Sequence, residues 1–582
     1  GSKVVARWRG TQPARPKSLL RITRNKASAT MKSSSCGSSV DVETSSLEET
    51  APLVPKGGES SACPPVLNKV FAALGISTLQ RQFGHKLLVM LFASQHLMKG
   101  FALSFVAPSI SYLYRSYKVA GPQIQIFSGV TQLPWAMKPV IGLVSDALPI
   151  GGIHKAPYIL LASLFGIFAC ASVGAVPHDH LGVGRLVGCL FLLQLQCSTC
   201  DLLTEAKYAE KMQSRPEHGP ALMTFVWFGL QVGSLMATVF IGPTLKYFGP
   251  KVPYLIALVP VSFIVVPIAK NFLEETPKTA AQVAIGRQKL FEQKEACFLC
   301  CLMFLGTVAL TFLGISYESA AVNALASIAV AAVMLIAFSL LLRPIIAKVN
   351  AFFLLQTSLG ISIAGASFYF YTDTPEQYPE GPHFSQEFFT SVLGTAGSIC
   401  SLMGICTYQR YASQWSYRGL LFLSNVALSL LSVTDIIFFT RLNVRLGLPD
   451  HAFVLGASVL TSVIAQWMWM PGVVILSQLC PKGMEATMYA LLAGCHNLGN
   501  TVASNLGAWV LEILNCQPSG APQEAHQFKW LWVGSALSTV MPMITLVLLP
   551  WLIPDARQTD KLLEDGDRDA TTGSLWRRWT GN

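Results

Sequence analysis

A lysine stands in the middle of an apolar run, Gln132-Leu-Pro-Trp-Ala-Met-Lys138-Pro-Val-Ile-Gly142-Leu-Val-Ser-Asp146. A cation in hydrocarbon is costly, so such a residue faces a cavity or a partner and marks a functional path. Gln132, Trp135, Pro139, Gly142 and Asp146 are spaced by three, four, three and four residues. That spacing lays them along one helix face, with Lys138 beside it. An apolar helix with one such stripe is built to line something polar, which suits a transporter.

Other stripes repeat the pattern. Gln194, Ser198, Asp201 and Glu205 share one face of a later run, and Thr224, Trp227, Gln231, Ser234 and Thr238 share one face of the next. Two such helices side by side can face one water-filled cleft. A carboxylate there is a proton-carrier candidate, so Asp201 and Glu205 are expected to couple protons; inner gate or capping residues are the alternative. Lys99 and Lys138 lie near the centres of their spans and suit an anionic substrate. The competing reading is an internal ion pair with Asp201 or Asp435. Asn425, Ser429, Ser432 and Asp435 form another single face, followed by Gln466, Trp467, Trp469 and then His496, Asn497 and Asn500. A flat heteroaromatic ligand wants an acidic or amide edge and an aromatic face. The substrate-binding candidates are Lys99, Gln132, Trp135, Lys138, Trp227, Gln231, Asp435, Gln466 and Asn497. Each tryptophan taken alone also fits a lipid-interface anchor or core packing, and His496 fits a satisfied core histidine.

The elements that must position these residues are membrane helices. Of 582 residues, 52% are apolar and only 13% charged, about half the charge of a soluble chain. Spans of roughly 20 apolar residues are expected near 86–114, 123–147, 156–176, 184–206, 219–247, 250–270, 297–315, 319–342, 350–371, 385–408, 417–440, 452–478, 484–513 and 528–553. The net charge of +11 sits in the tail and short loops, where the positive-inside rule places it, with no aromatic-basic pattern for nucleic acid. Loop charge puts both termini inside, with Arg441 and Arg445 against the trend. No nucleophile elbow, phosphate loop or metalloprotease helix is present, so neither an enzyme nor a cofactor or metal is expected. Cys197-x-x-Cys200 and Cys297-x-x-Cys300 lie inside spans and read as small apolar filler.

Residues 1–85 read as a disordered cytosolic tail. Its basic, acid-free start fits a transit peptide or a tail drawn to anionic lipid, and Met31 is a candidate native start. Then come a first six-helix bundle (86–272), a cytosolic linker (273–296), an inserted helix pair (297–342), a second six-helix bundle (343–553) and a cytosolic tail (554–582). Internal symmetry supports this division. Gly142-x-x-x-Asp146 followed by His154-Lys155 matches in place Gly404-x-x-x-Tyr408 followed by Arg418. Such repeats put the site between two bundles. Asp146 with His154 or Lys155, and Arg410 with Glu485, are expected to latch the inner side.

Pro134-Trp135-x-x-Lys138-Pro139-x-x-Gly142-x-x-Ser145-Asp146-x-x-Pro149-Ile150 resembles the signature of the folate–biopterin transporter family of the major facilitator superfamily. Cys480-Pro481-Lys-Gly483-Met-Glu485-Ala486-Thr487, continuing to Asn497-x-Gly499, resembles its second signature. Asn443-x-x-x-Gly447-x-Pro449-Asp450-His451 and Phe368-Tyr369-Phe370-Tyr371-Thr372 are also similar, and Tyr378-Pro-Glu-Gly-Pro-His383 is closer to protist members. The chain departs from the family at His154-Lys155, where a more basic pair is usual, and in the inserted pair. The resemblance implies two six-helix bundles of the major-facilitator type; with the inserted pair that the apolar spans add, the expected fold is an all-α polytopic membrane protein of about 14 helices. It implies uptake of folate, biopterin or related pteridines by alternating access with protons, across the plasma membrane or an organelle envelope. The alternatives are a carrier of S-adenosylmethionine or another metabolite, and a receptor that does not transport.

Overall fold

The computed structural model describes residues 76–480, 485–563 and 570–580. Most of the expected N-terminal tail, residues 1–75, lies outside the described residues, as does 481–484 of the second signature. Among the described residues the backbone is helical, with two isolated bridges, Ile150–Ile153 and Ser416–Arg557, in place of strands. That is the outcome hydrocarbon imposes, since a helix satisfies its own N–H and C=O groups.

Among the described residues, twelve helices are long and apolar enough to cross a membrane. Before the linker they are His85–Ser116, Ala156–Ala175, Val183–Met212, Ala221–Phe248 and Val252–Ala269. After it come Lys294–Ser316, Ala320–Leu341, Pro344–Thr372, Glu387–Ala412, Tyr417–Phe439, Asp450–Gln478 and Ala525–Leu552. The other two expected spans, 123–147 and 484–513, are not among the twelve. They form the helices Gly121–Ala136, Lys138–Ala147 and Glu485–Ile513, which pack against one another in the middle of the bundle. Thr501 donates to the Gly129 carbonyl at 3.2 Å. Gln125, Thr131, Thr501 and Asn505 are all buried there. A helix wrapped by protein rather than lipid tolerates polar residues all round, and its hydropathy falls accordingly.

The inserted pair is part of this centre. Asn323 ties the turn between its two helices by donating to the carbonyls of Tyr317 and Ser319 at 2.9 and 3.0 Å. Glu512 accepts the Ala320 N–H at 3.4 Å, and Gly314 lies against Val130. The linker holds a helix, Ala280–Phe291, opened by a capping box between Thr279 and Gln282. Within the expected N-terminal tail, Ile76–Phe83 is a helix whose Leu79 and Phe83 pack on Tyr208, Leu222 and Val226. Its apolar residues fall on one face, which is enough to dock it. The C-terminal segment also docks in part: Gln558 is buried and donates to the Ala412 carbonyl at 2.9 Å.

Two motifs prove to be architectural. Phe370 is buried among Tyr378, Phe438, Phe439 and Phe528. Asp450 accepts two bonds from Arg441 at 2.8 Å and one from Asn443 at 2.7 Å, around Gly447 at φ 77°. Arg441 departs from the loop-charge trend, and the structure gives it a carboxylate partner.

The halves approach most closely through glycine. A Cβ on Gly365 would collide with the Gly121 carbonyl oxygen of the other half; within the second half, one on Gly507 would collide with that of Ser362. Gly365→Val or Gly507→Val should therefore cost about 1–3 kcal/mol through overpacking. Thermal unfolding of the detergent-solubilised chain checks this, with Gly188→Ala, which has open space, as the unchanged control. Equal midpoints for all three would remove the close-approach argument.

Candidate functional site

The second span breaks where its lysine stands. Pro134 lies in the last turn of Gly121–Ala136, and Pro139 in the first turn of Lys138–Ala147. A proline has no N–H to give the carbonyl four residues back, which for Pro139 is that of Trp135. Asn497, from a helix of the second half, donates to that carbonyl at 3.4 Å.

Across from the break, Phe92–Leu103 winds as a π-helix, a form that concentrates at functional sites. It carries Lys99. Gly229 and Gly233 let this segment close on the fifth span: a Cβ at either would strike the His96 ring or backbone. His96 Nε2 lies 3.0 Å from the Phe225 carbonyl. The approach sets Trp227 beside Lys99.

The centre of the site is Asp201. Its Oδ1 accepts from Lys99 Nζ at 2.9 Å and its Oδ2 from Lys138 Nζ at 2.6 Å. The carboxylate is 3% exposed, and the lysines 25% and 12%, so the acid is covered and the cations remain reachable. Lys138 lies over the Trp135 ring at 4.7 Å, and Lys99 is 5.8 and 5.9 Å from Trp135 and Trp227. These are cation–π distances. Gln194 accepts from Trp135 Nε1 at 2.9 Å and fixes the ring. Glu205, one turn beyond Asp201, lies within the field of both lysines and accepts from Tyr208 at 3.3 Å. The arrangement sets two cations and two indoles around one buried carboxylate.

The remaining candidates scatter. Gln132 is exposed one turn before Trp135, and Gln231 is half-buried one turn after Trp227. Gln466 packs on Gly404. Asp435 is exposed near Tyr371; among the described residues it forms no ion pair with either lysine. At the inner end, Asp146 lies in the field of Lys155, His154 and Lys278 without an ion pair among the described residues. His154 instead closes on Ser145: its Nδ1 donates to the Ser145 carbonyl at 3.1 Å, and its backbone carbonyl accepts the Ser145 hydroxyl at 2.6 Å. The Lys155 and Ala156 N–H groups go to Glu275 at 3.1 and 2.8 Å, an acidic cap at a helix N-terminus. Arg410 lies 5.7 Å from the Tyr411 ring, and the Glu485 side chain is outside the described residues.

Sequence reasoning missed Tyr208, Glu275 and Gln95, which donates to Thr204 at 3.2 Å. Tyr208 stands three residues after Glu205 and Gln95 four before Lys99, so helical spacing from the named residues was the available signal. Glu275 reaches its cap across the bundle, and no local pattern announces it.

Residues 99–572 match the BT1 family model. The chain is 25% identical over 78% of its length to "Probable folate-biopterin transporter 2" of Arabidopsis thaliana, covering 80% of that protein. It is 25% identical over 76% of its length to "Folate-biopterin transporter" of Synechocystis, covering 77%, and 22% identical over 78% to "Folate transporter 2" of Plasmodium falciparum, covering 85%. Among solved structures, a POT peptide transporter bound to sulfate superposes with a TM-score of 0.56 at 14% identity, covering 81% of this chain and 96% of that one. A D-xylose–proton symporter gives 0.51 at 12%, covering 83% and 99%. At these identities the structures share the fold.

Asp201→Asn should leave two lysines facing each other without their acid. Removing one partner of a buried pair costs roughly 3–5 kcal/mol, read as a lowered unfolding midpoint. Adding Lys99→Gln should restore part of it. A double variant no more stable than Asp201→Asn would show that the Lys99 bond contributes nothing.

Proposed function

This chain belongs to the BT1 family, whose members are membrane transporters rather than enzymes, and from that premise we propose that it moves folate, biopterin or a related pteridine by proton-coupled alternating access. The observation that carries the reading is the Asp201 carboxylate shared between Lys99 and Lys138 beneath two indole faces.

An arriving substrate carboxylate takes the place of Asp201 on the lysines. With Glu205 beside them, three carboxylates then face two lysines in a dry site, one more than the cations balance, and an unpaired buried charge is expensive. Asp201, or Glu205 one turn on, relieves the excess by taking a proton. Each substrate carboxylate that enters this site therefore brings one proton with it, which is what coupling requires. Trp135 and Trp227 hold the pteridine ring, and Gln132 and Gln231, each one turn from one of those indoles, are the amides available to its edge.

Alternating access draws support from where the halves touch. At the end expected outside, Lys246 pairs with Glu387 at 2.7 Å, Gly242 donates to Ser391 at 2.9 Å, and Arg115 bonds Thr372 at 2.9 Å. Toward the other end of the fifth span, Trp227 is half-exposed. The arrangement fits a carrier shut outside with its lysines approached from within. Rocking of the two halves would reverse it.

In proteoliposomes Lys138→Ala should lower labelled-folate uptake at least about tenfold, equivalent to some 1.4 kcal/mol of lost ion pairing. Uptake at the wild-type rate and affinity would sink the central claim. A panel of folate, biopterin and S-adenosylmethionine tests the cargo, and binding without uptake would favour a receptor. An imposed acid-outside gradient should accelerate uptake, and unchanged uptake after its collapse would remove proton coupling.

A further inference from the structure

Opposite the linker, three loop segments meet at two buried acids. Asp373 follows the span Pro344–Thr372, and its side chain is 0% exposed. Glu524 precedes the last span and is 4% exposed. Arg115, at the end of the first span, lies 3.0 Å from Asp373 Oδ1. The same guanidinium donates to the Thr372 carbonyl at 3.1 Å, to the Thr372 hydroxyl at 2.9 Å and to Gln377. Glu524 accepts the N–H groups of Ser519 and Gly520 at 2.9 and 2.6 Å, and its carboxyl stands within hydrogen-bonding reach of Asp373. Backbone bonds surround the cluster: Glu524 N–H to Gln377 at 2.9 Å, Gln523 N–H to Glu376 at 3.0 Å, and Gly121 N–H to Pro518 at 2.8 Å. Two of the segments belong to the second half; Arg115 and Gly121 belong to the first.

The site lacks one component. Neither oxygen of Asp373 receives a satisfactory hydrogen bond from the groups present, and one arginine faces two carboxylates. Two acids in contact out of water do not both stay ionised. A proton on one of them supplies the missing donor and matches the remaining charge to Arg115. We propose that Asp373 and Glu524 form a proton-binding site that latches the two halves at this face, shut when one proton is shared and loosened when it is lost.

The other titratable groups nearby do not fill this role. Tyr369 lies under Arg115 at 5.6 Å and gives its hydroxyl to the Val119 carbonyl at 2.6 Å. His383 Nδ1 donates to the backbone carbonyl of Asp373 at 2.7 Å, not to its carboxyl. Tyr112 faces Arg115 from its own helix. Burial pushes the Asp373 carboxyl up to about 8; Arg115 opposes this and Glu524 adds to it. Opened to water, the same group returns toward its ordinary 3.8. The shut latch thus binds more protons than the open one between those values. Closure is favoured at acid pH and weakens as pH rises through about 8.

Hydrogen exchange of the full chain in detergent reads the latch directly, with 373–381 and 516–524 as reporter peptides. This site extends the alternating-access reading, but the measurement involves no transport, so the two fail separately. After correction for intrinsic exchange, wild-type protection should fall at least about tenfold from pH 6 to pH 9. Asp373→Asn, which keeps the shape of the neutral acid, should hold its protection across that range. Glu524→Gln should do the same and serves if the first variant folds poorly. Flat wild-type protection, or a pH dependence unchanged in both variants, overturns the proposal.

Discussion

Everything in the first half is arranged around one carboxylate. Asp201 must reach two lysines on two other helices, and each of the three charges alone would be prohibitive in hydrocarbon. The bridge demands that the first, second and fourth spans converge to within hydrogen-bond distance. The widened turn at Phe92–Leu103 and the proline break before Lys138 follow from that demand. So do the bare glycines of the fifth span, which let the first span close without a side chain between. The cluster is also unbalanced by itself. Two cations share one acid, and Glu205 supplies the second negative charge one turn away. On the proposed reading, an anion that enters would displace an acid or arrive with a proton.

The contacts between the halves are unequal along their length. At one end they are polar and specific: Arg115 reaching Thr372 and Gln377, and Lys246 reaching Glu387. In the centre they are made by glycine and by small hydroxyl and amide side chains on Gly121–Ala136 and Glu485–Ile513. Small residues give close approach without deep interdigitation. Such a seam can pivot, whereas a jigsaw of leucines would have to be unpacked. In the proposed alternating-access cycle, the ion pairs at one end would decide which way the pivot rests.

The charged centre was largely legible in the sequence, because charge in an apolar span has few explanations. The stripe Gln194 to Glu205 and the mid-span depth of Lys99 and Lys138 mark these residues on their own. The choice between substrate contact and an internal pair with Asp201 or Asp435 was not legible. Helical period gives the face of a residue but not which helix it meets. Asp435 and Asp201 look alike by spacing, and only the packing assigns the lysines to Asp201. The hydropathy signal was weakest for 123–147 and 484–513, where burial in protein replaces contact with lipid. The inner loops were least legible: His154 bonds Ser145, and Glu275 caps a helix far away in sequence.

The two signatures gain a joint physical meaning from one hydrogen bond. Pro139 removes the N–H that the Trp135 carbonyl would otherwise accept, and Asn497 of the second half supplies a replacement. A bare carbonyl in a membrane interior costs several kcal/mol, so the break in one helix obliges the other to carry a donor at that depth. The same carbonyl belongs to the tryptophan over which Lys138 lies. The second half is therefore tied to the backbone of the residue that supports the first half's cation. If the halves rock as proposed, this bond is among the central contacts that must persist or be exchanged, which is how movement of one bundle would be felt at Lys138.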